Sequence, residues 1–146
     1  MEIAEEGLQQ ALSTQQNYYI AGLYTNAGEA HYYLGHFDKA VEYASKAIQR
    51  REEIHLPSAY IVMGMTQRSM SAFVAADQSL TLAIEIAGQT EDKYALAAAW
   101  RELGELRICQ HRKNDAKNAL TQSITLFREL YNEPQANEIE ARLNAL

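Results

Sequence analysis

The sequence predicts an all-α protein made of stacked antiparallel helix pairs, and three observations carry that expectation. Apolar residues recur at helical spacing along most of the chain, an alanine-rich stripe returns every 36–40 residues, and an aromatic–glycine signature precedes each complete stripe at a constant distance. Size and composition fit. The 146 residues, 47% apolar and 22% charged, suffice for one domain with a core. Seven glycines and two prolines supply too few turns for a β-sandwich or barrel.

The stripe is clearest in "FDKAVEYASKAIQ", where Ala40, Ala44, Ala47 and Ile48 fall on one helix face. Its copies are Ala76, Leu80, Ala83 and Ile84, then Ala116, Leu120, Ser123 and Ile124, with Ala4, Leu8, Ala11 and Leu12 ahead of them. The second signature reads Tyr24-x2-Ala27-Gly28, Tyr60-x2-Met63-Gly64 and Trp100-x2-Leu103-Gly104, each glycine lying 12 residues before its alanine. Together they define a two-helix unit of about 34 residues. Its internal turn reads Leu34-Gly35-His36-Phe37, then Met70-Ser71-Ala72-Phe73, and in a more polar version Gln110-His111-Arg112-Lys113. Small residues at these positions have a physical reason, because the distance between packed helices, about 8–10 Å, follows the side chains at the crossing. Gly28 against Ala40, and the matching pairs, are expected to bring the two helices of each unit close.

The elements follow in order. A half-unit helix covers 1–16, complete units cover 21–54, 57–90 and 97–130, and a final half-unit or capping helix covers 131–146, all in a single domain over 1–146. Read as helix, three pairs and helix, the chain is expected to hold about seven helices. Pro57 and Pro134 suit the first turn of a helix. Ile48 to Gly64 spans 16 residues but Ile84 to Gly104 spans 20, so the later helices are expected to be about one turn longer. Ile3, Leu8 and Leu12 leave an apolar first end, whereas Glu138, Glu140 and Arg142 give the last helix a polar face suited to a cap. Entry and exit in mid-unit read as a piece of a longer array, or as ends that pair between chains in a homo-oligomer.

Aromatic-x2-Leu-Gly, with an alanine 12 residues on and an aliphatic residue after it, resembles the tetratricopeptide repeat (TPR). That resemblance implies a right-handed superhelix of antiparallel helix pairs. The chain departs from the family pattern where His31, Gln67 and Arg107 replace a usual tyrosine, and it lacks the closing proline of each unit. The longer units, "IEIAGQTEDKYALAAAWRELG" and "ITLFRELYNEPQANEIEARL", are similar in spacing to the TPR sensor regions of bacterial signalling regulators, including Rap-type phosphatases and related transcription factors.

Several function classes fall away. A net charge of −6 provides no basic face for direct nucleic-acid binding. No apolar run approaches a membrane span, the acidic "MEIAEEGLQQ" is unlike a leader, and the single Cys109 fits a reducing compartment, so a cytoplasmic address is expected. His31, His36, His55 and His111 show no metal-ligand spacing, and Glu5-Glu6 and Glu52-Glu53 read as solvated faces. Cys109, beside Arg107 and His111, reads as packing rather than as a nucleophile. No nucleophile elbow or phosphate loop occurs. The expectation is a non-enzyme with no catalytic residue, cofactor or metal.

The resemblance implies binding on a concave wall lined by the first helix of each unit. Spacing places Thr25, Glu29 and Tyr32, then Ile61, Met65 and Arg68, then Arg101, Glu105 and Ile108 on that wall, with exposed apolar anchors framed by charge. Asn26 matches the asparagine that clamps ligand backbone in several peptide-binding members, while Val62 and Glu102 stand at its equivalents. Thr25 and Glu29 occupy places where the members that grip an acidic C-terminus need lysine and asparagine, so that ligand is not expected. The expected function is a protein–protein interaction module docking a peptide or helical segment in its groove. The alternative is a peptide-sensing regulatory domain of a larger bacterial signalling protein or transcription regulator.

Overall fold

The computed structural model describes residues 2–13 and 20–146, with side chains described from Glu5 to Gln10 and from Ile20 onward. Among the described residues eight helices follow one another: α1 (Glu2–Ser13), α2 (Ile20–Tyr33), α3 (Phe37–Gln49), α4 (Leu56–Ser69), α5 (Phe73–Gln89), α6 (Lys93–Cys109), α7 (Lys113–Glu129) and α8 (Glu133–Asn144). Among the described residues there is no strand. The expected count of seven is corrected to eight, since three pairs flanked by a helix on each side make eight. Pro57 and Pro134 stand in the first turns of α4 and α8, where a missing N–H costs no hydrogen bond. The longer spacing becomes helix length: α5, α6 and α7 have 17 residues each, against 13 in α3 and 14 in α4.

One turn recurs. In the α4–α5 connection Ser71 N–H donates to the Arg68 carbonyl and Ala72 N–H to that of Gln67, the paired bonds of a Schellman motif. The same pair of bonds closes α2–α3, α5–α6, α6–α7 and α7–α8. Each needs one residue at positive φ, and these are Gly35, Ser71, Glu91, His111 and Tyr131. The polar turn at Gln110–Lys113 therefore has the same geometry as its glycine-bearing counterpart. Only Gly35 adopts this backbone without steric cost. Tyr131, at φ 57°, is 93% exposed, so burial of its side chain does little to offset the strain. Tyr131→Gly is expected to stabilise the protein by about 0.5–1 kcal/mol, the relief of strain less glycine's greater unfolded freedom. A thermal melt should read this as a rise of roughly 2 °C; an unchanged or lower Tm would contradict it.

Packing is between neighbours. One cluster joins Ile61 and Met65 of α4 to Ala83 and Ala87 of α5 and Ala95, Ala98 and Ala99 of α6. A second joins Ala76 and Leu80 of α5 to Leu103 and Leu106 of α6 and Ala119 of α7, and a third joins Ala97 to α7 and α8. At the other end Leu8 of α1, 3% exposed, packs with Ile20, Leu23, Tyr24 and Tyr43. The expected stripe partners Ile3, Ala4, Ala11 and Leu12 lie outside the residues whose side chains are described. His31 is buried, stacked on Tyr43 with ring centroids 5.4 Å apart, and hydrogen-bonded to Glu5 and His36.

The helix crossings refine the small-residue expectation. A Cβ placed on Gly28 would lie 3.3 Å from the Ala40 carbonyl, so in the first unit two backbones meet directly. In the next two units a leucine replaces Ala44 and fills the glycine notch: a Cβ on Gly64 would lie 2.6 Å from Leu80 Cγ, and one on Gly104 2.5 Å from Leu120 Cδ2. Alanine against glycine is thus the rule for the first pair only, and leucine against glycine for the others.

Candidate functional site

Alternate helices form an inner wall. Besides packing on their chain neighbours, α2 touches α4 and α4 touches α6, whereas among the described residues no comparable contact joins α3 to α5 or α5 to α7. The first helices of the units therefore crowd together while the second helices fan apart, which makes the former the concave side.

That wall is held by polar links between residues about one unit apart. Arg68 Nη2 donates to the Tyr32 hydroxyl at 3.2 Å, and Arg68 Nη1 donates to Glu102 Oε2 at 2.6 Å. Arg101 donates to Glu102 Oε1 at 3.3 Å and to Gln135 Oε1 at 3.1 Å. Arg142 then grips both Glu105 oxygens, at 3.0 and 3.2 Å. Glu102 is 6% exposed, so its charge needs these partners. Burial alone would lower the Arg68 pKa, but the Glu102 carboxylate outweighs it and holds the guanidinium above its ordinary value.

Two chambers open along the wall. The first, about 130 Å³, spans α2, α4 and α6, with Thr25, Ile61, Met65, Ala95 and Ala98 below and Glu29, Tyr33, Tyr94 and Arg101 at its sides. The second, about 600 Å³, lies between α6 and α8 and is lined by Glu102, Glu105, Gln135, Glu138, Ile139 and Arg142. Its size has a cause, since side-chain bridges rather than close backbone contact connect α6 and α8. Tyr33 and Arg101 line both chambers and form their common boundary. Burial, and next the charges of Glu29 and Glu102, push the Tyr33 phenol above its usual pKa, with Arg101 opposing. The chemistry available is that of an open groove with an apolar floor, aromatic edges and mixed charge.

Comparison with known proteins agrees with this geometry: residues 21–54, which contain α2 and α3, match the tetratricopeptide repeat family. The match covers one repeat, 34 of the 146 residues, and makes that segment similar to a tetratricopeptide repeat. No curated protein matches it. Repeats of this family serve in general as protein–protein interaction modules and are typically non-catalytic scaffolds. Among the described residues no three His, Cys, Asp or Glu side chains are grouped to hold a metal, and no helix is long and apolar enough to cross a membrane.

The inner wall divides the ten residues singled out by spacing. Thr25, Glu29, Ile61, Met65 and Arg101 come together around the first chamber, and Glu105 joins Arg101 in the second. Ile61 and Met65 are not exposed as expected but 8% and 6% exposed, because the α4–α6 contact covers them, and they form the floor. Three residues turn out of the groove. Tyr32 packs against Phe37 and the α4–α6 cluster, Arg68 is consumed by Glu102, and Ile108 packs onto the α7–α8 cluster. Asn26 is exposed but lines neither chamber. Spacing missed Tyr33, Tyr94, Glu102, Gln135, Glu138 and Arg142. For Arg68 with Glu102 and Arg101 with Gln135 a signal was present, namely complementary residues 34 apart, one unit length.

Proposed function

We propose that this helical-repeat protein docks a peptide or helical segment of a protein partner in the groove lined by α2, α4, α6 and α8. The observation that supports the reading is the pairing of two chambers across one boundary, an apolar floor beside a polar, wider space. An extended or helical segment fits such a site by seating an apolar anchor in the first chamber and its polar residues in the second. The linked wall favours this use, since a groove already held by Arg68–Glu102 and Arg142–Glu105 loses little freedom when filled.

Panning a displayed peptide library against the full chain tests the proposal. Captured peptides should share a consensus, and Tyr33→Ala should weaken them by about tenfold or more, the effect of removing an aromatic anchor. Val74→Ser, on the outer α5 helix away from both chambers, should leave affinity unchanged. Peptides indifferent to Tyr33→Ala but lost on Val74→Ser would place binding on the convex side and overturn the reading.

A further inference from the structure

The charges along the groove are not equally occupied. Each arginine on the wall is matched by an acceptor of the wall itself: Arg68 by Glu102, Arg101 by Glu102 and Gln135, and Arg142 by both oxygens of Glu105. Glu29 in the first chamber and Glu138 in the second are exposed and, among the described residues, have no hydrogen-bond or ion-pair partner. The groove's free charge is therefore negative, although its composition is mixed. Glu102 serves two arginines, so Arg101 keeps part of its charge. The four carboxylates Glu29, Glu102, Glu105 and Glu138 nevertheless outnumber Arg68, Arg101 and Arg142, and a partner ammonium or guanidinium group meets two open carboxylates.

The aromatic edges point the same way. Tyr33 and Tyr94 are 68% and 58% exposed, unusually open for large side chains, and both line the chamber that contains Glu29. Neither ring is loose: Tyr33 meets Tyr32 edge-on at 5.1 Å between centroids, and Tyr94 meets Phe127 in the same manner at 5.8 Å. Braced, exposed aromatic rings beside unpaired carboxylates attract cations through both the ring quadrupole and direct charge.

We propose that the segment this groove takes is cationic, a lysine- or arginine-bearing stretch of a partner protein. Its apolar residue seats over Ile61 and Met65, and its basic side chains meet Glu29, Glu138 and the Tyr33 and Tyr94 rings. The inference rests on the groove-docking reading above and adds the charge of the occupant.

Three short labelled peptides sharing one leucine–alanine framework, with lysine, glutamine or glutamate at the same polar positions, separate the outcomes by fluorescence anisotropy on the full chain. The lysine probe is expected to bind about tenfold more tightly than the glutamine probe at low salt, with the advantage shrinking as salt rises. The Glu29→Gln/Glu138→Gln variant, altered only at exposed positions, should erase most of that advantage and leave glutamine-probe binding in place. Equal binding of the lysine and glutamine probes, or tighter binding of the glutamate probe, overturns the cationic assignment and leaves the groove reading standing. A lysine advantage that survives the double variant also overturns it, because the net charge of −6 would then be acting without the groove. Failure of all three probes to bind removes the groove reading with it.

Discussion

Glu102→Leu is expected to destabilise the protein by about 3 kcal/mol, the cost of leaving a buried cation without its carboxylate. Arg68 is 14% exposed and Glu102 8% exposed at their side chains, and their 2.6 Å contact joins α4 to α6. With Glu102 gone, Arg68 keeps the Tyr32 hydroxyl but no anion. Arg101 loses less, since it is more exposed and retains Gln135. Removing both partners should reverse most of the damage: Arg68→Met/Glu102→Leu is expected to lie within about 1 kcal/mol of the parent, because two apolar side chains pack where two desolvated charges stood. Urea denaturation of the two single variants and the double variant measures this cycle. A double variant as unstable as the sum of the single ones would show that the pair does not hold the wall.

Leu120→Ala is expected to cost about 3 kcal/mol, within the range for emptying a fully buried leucine site. Leu120 is 0% exposed and its side chain fills the notch at Gly104. The complementary variant Gly104→Ala overpacks the same notch at about 1–3 kcal/mol, offset by about 1 kcal/mol of better helix propensity. Combining the two puts a methyl group into the space that Leu120→Ala vacates, so their effects should fall short of additivity by about 1 kcal/mol. Strictly additive denaturation midpoints would mean that the leucine and the glycine do not share one contact. Leu80 and Gly64 provide an independent copy of the experiment one unit earlier.

The helix pairs were legible in the sequence because they are local. Ala40, Ala76 and Ala116 mark buried stripes by their spacing alone, and all three are 0% exposed. Turns lacking glycine were harder to read. Ser71, His111 and Tyr131 adopt the backbone that Gly35 adopts, a case of helix packing on both sides overriding residue preference. The wall was half legible. Spacing fixes which residues share a helix face, but not how closely the next first helix approaches, and that distance decides which part of the face stays open. Where α4 lies against α6, Ile61 and Met65 are covered and Arg68 is drawn into an ion pair. Where α6 and α8 are bridged only by side chains, Glu105 and Glu138 stay at a wide opening. Reading 131–146 as a cap concealed the part α8 plays in that second chamber. Tyr33 was missed for a simpler reason: one residue turns a helix face by about 100°, and its neighbour Tyr32 fitted the stripe.

The wall and the groove depend on each other. Links spaced 34 to 37 residues apart hold successive first helices in register, and the two chambers are the space those links leave unfilled. Backbone amide NMR of the full chain, titrated with a peptide captured by panning, measures the location of binding most directly. Shift changes centred on Tyr33, Tyr94, Arg101 and Glu138 are the predicted result. Changes confined to Val74 and Leu82 on the outer face of α5, with the inner wall unmoved, would contradict a groove-docking module.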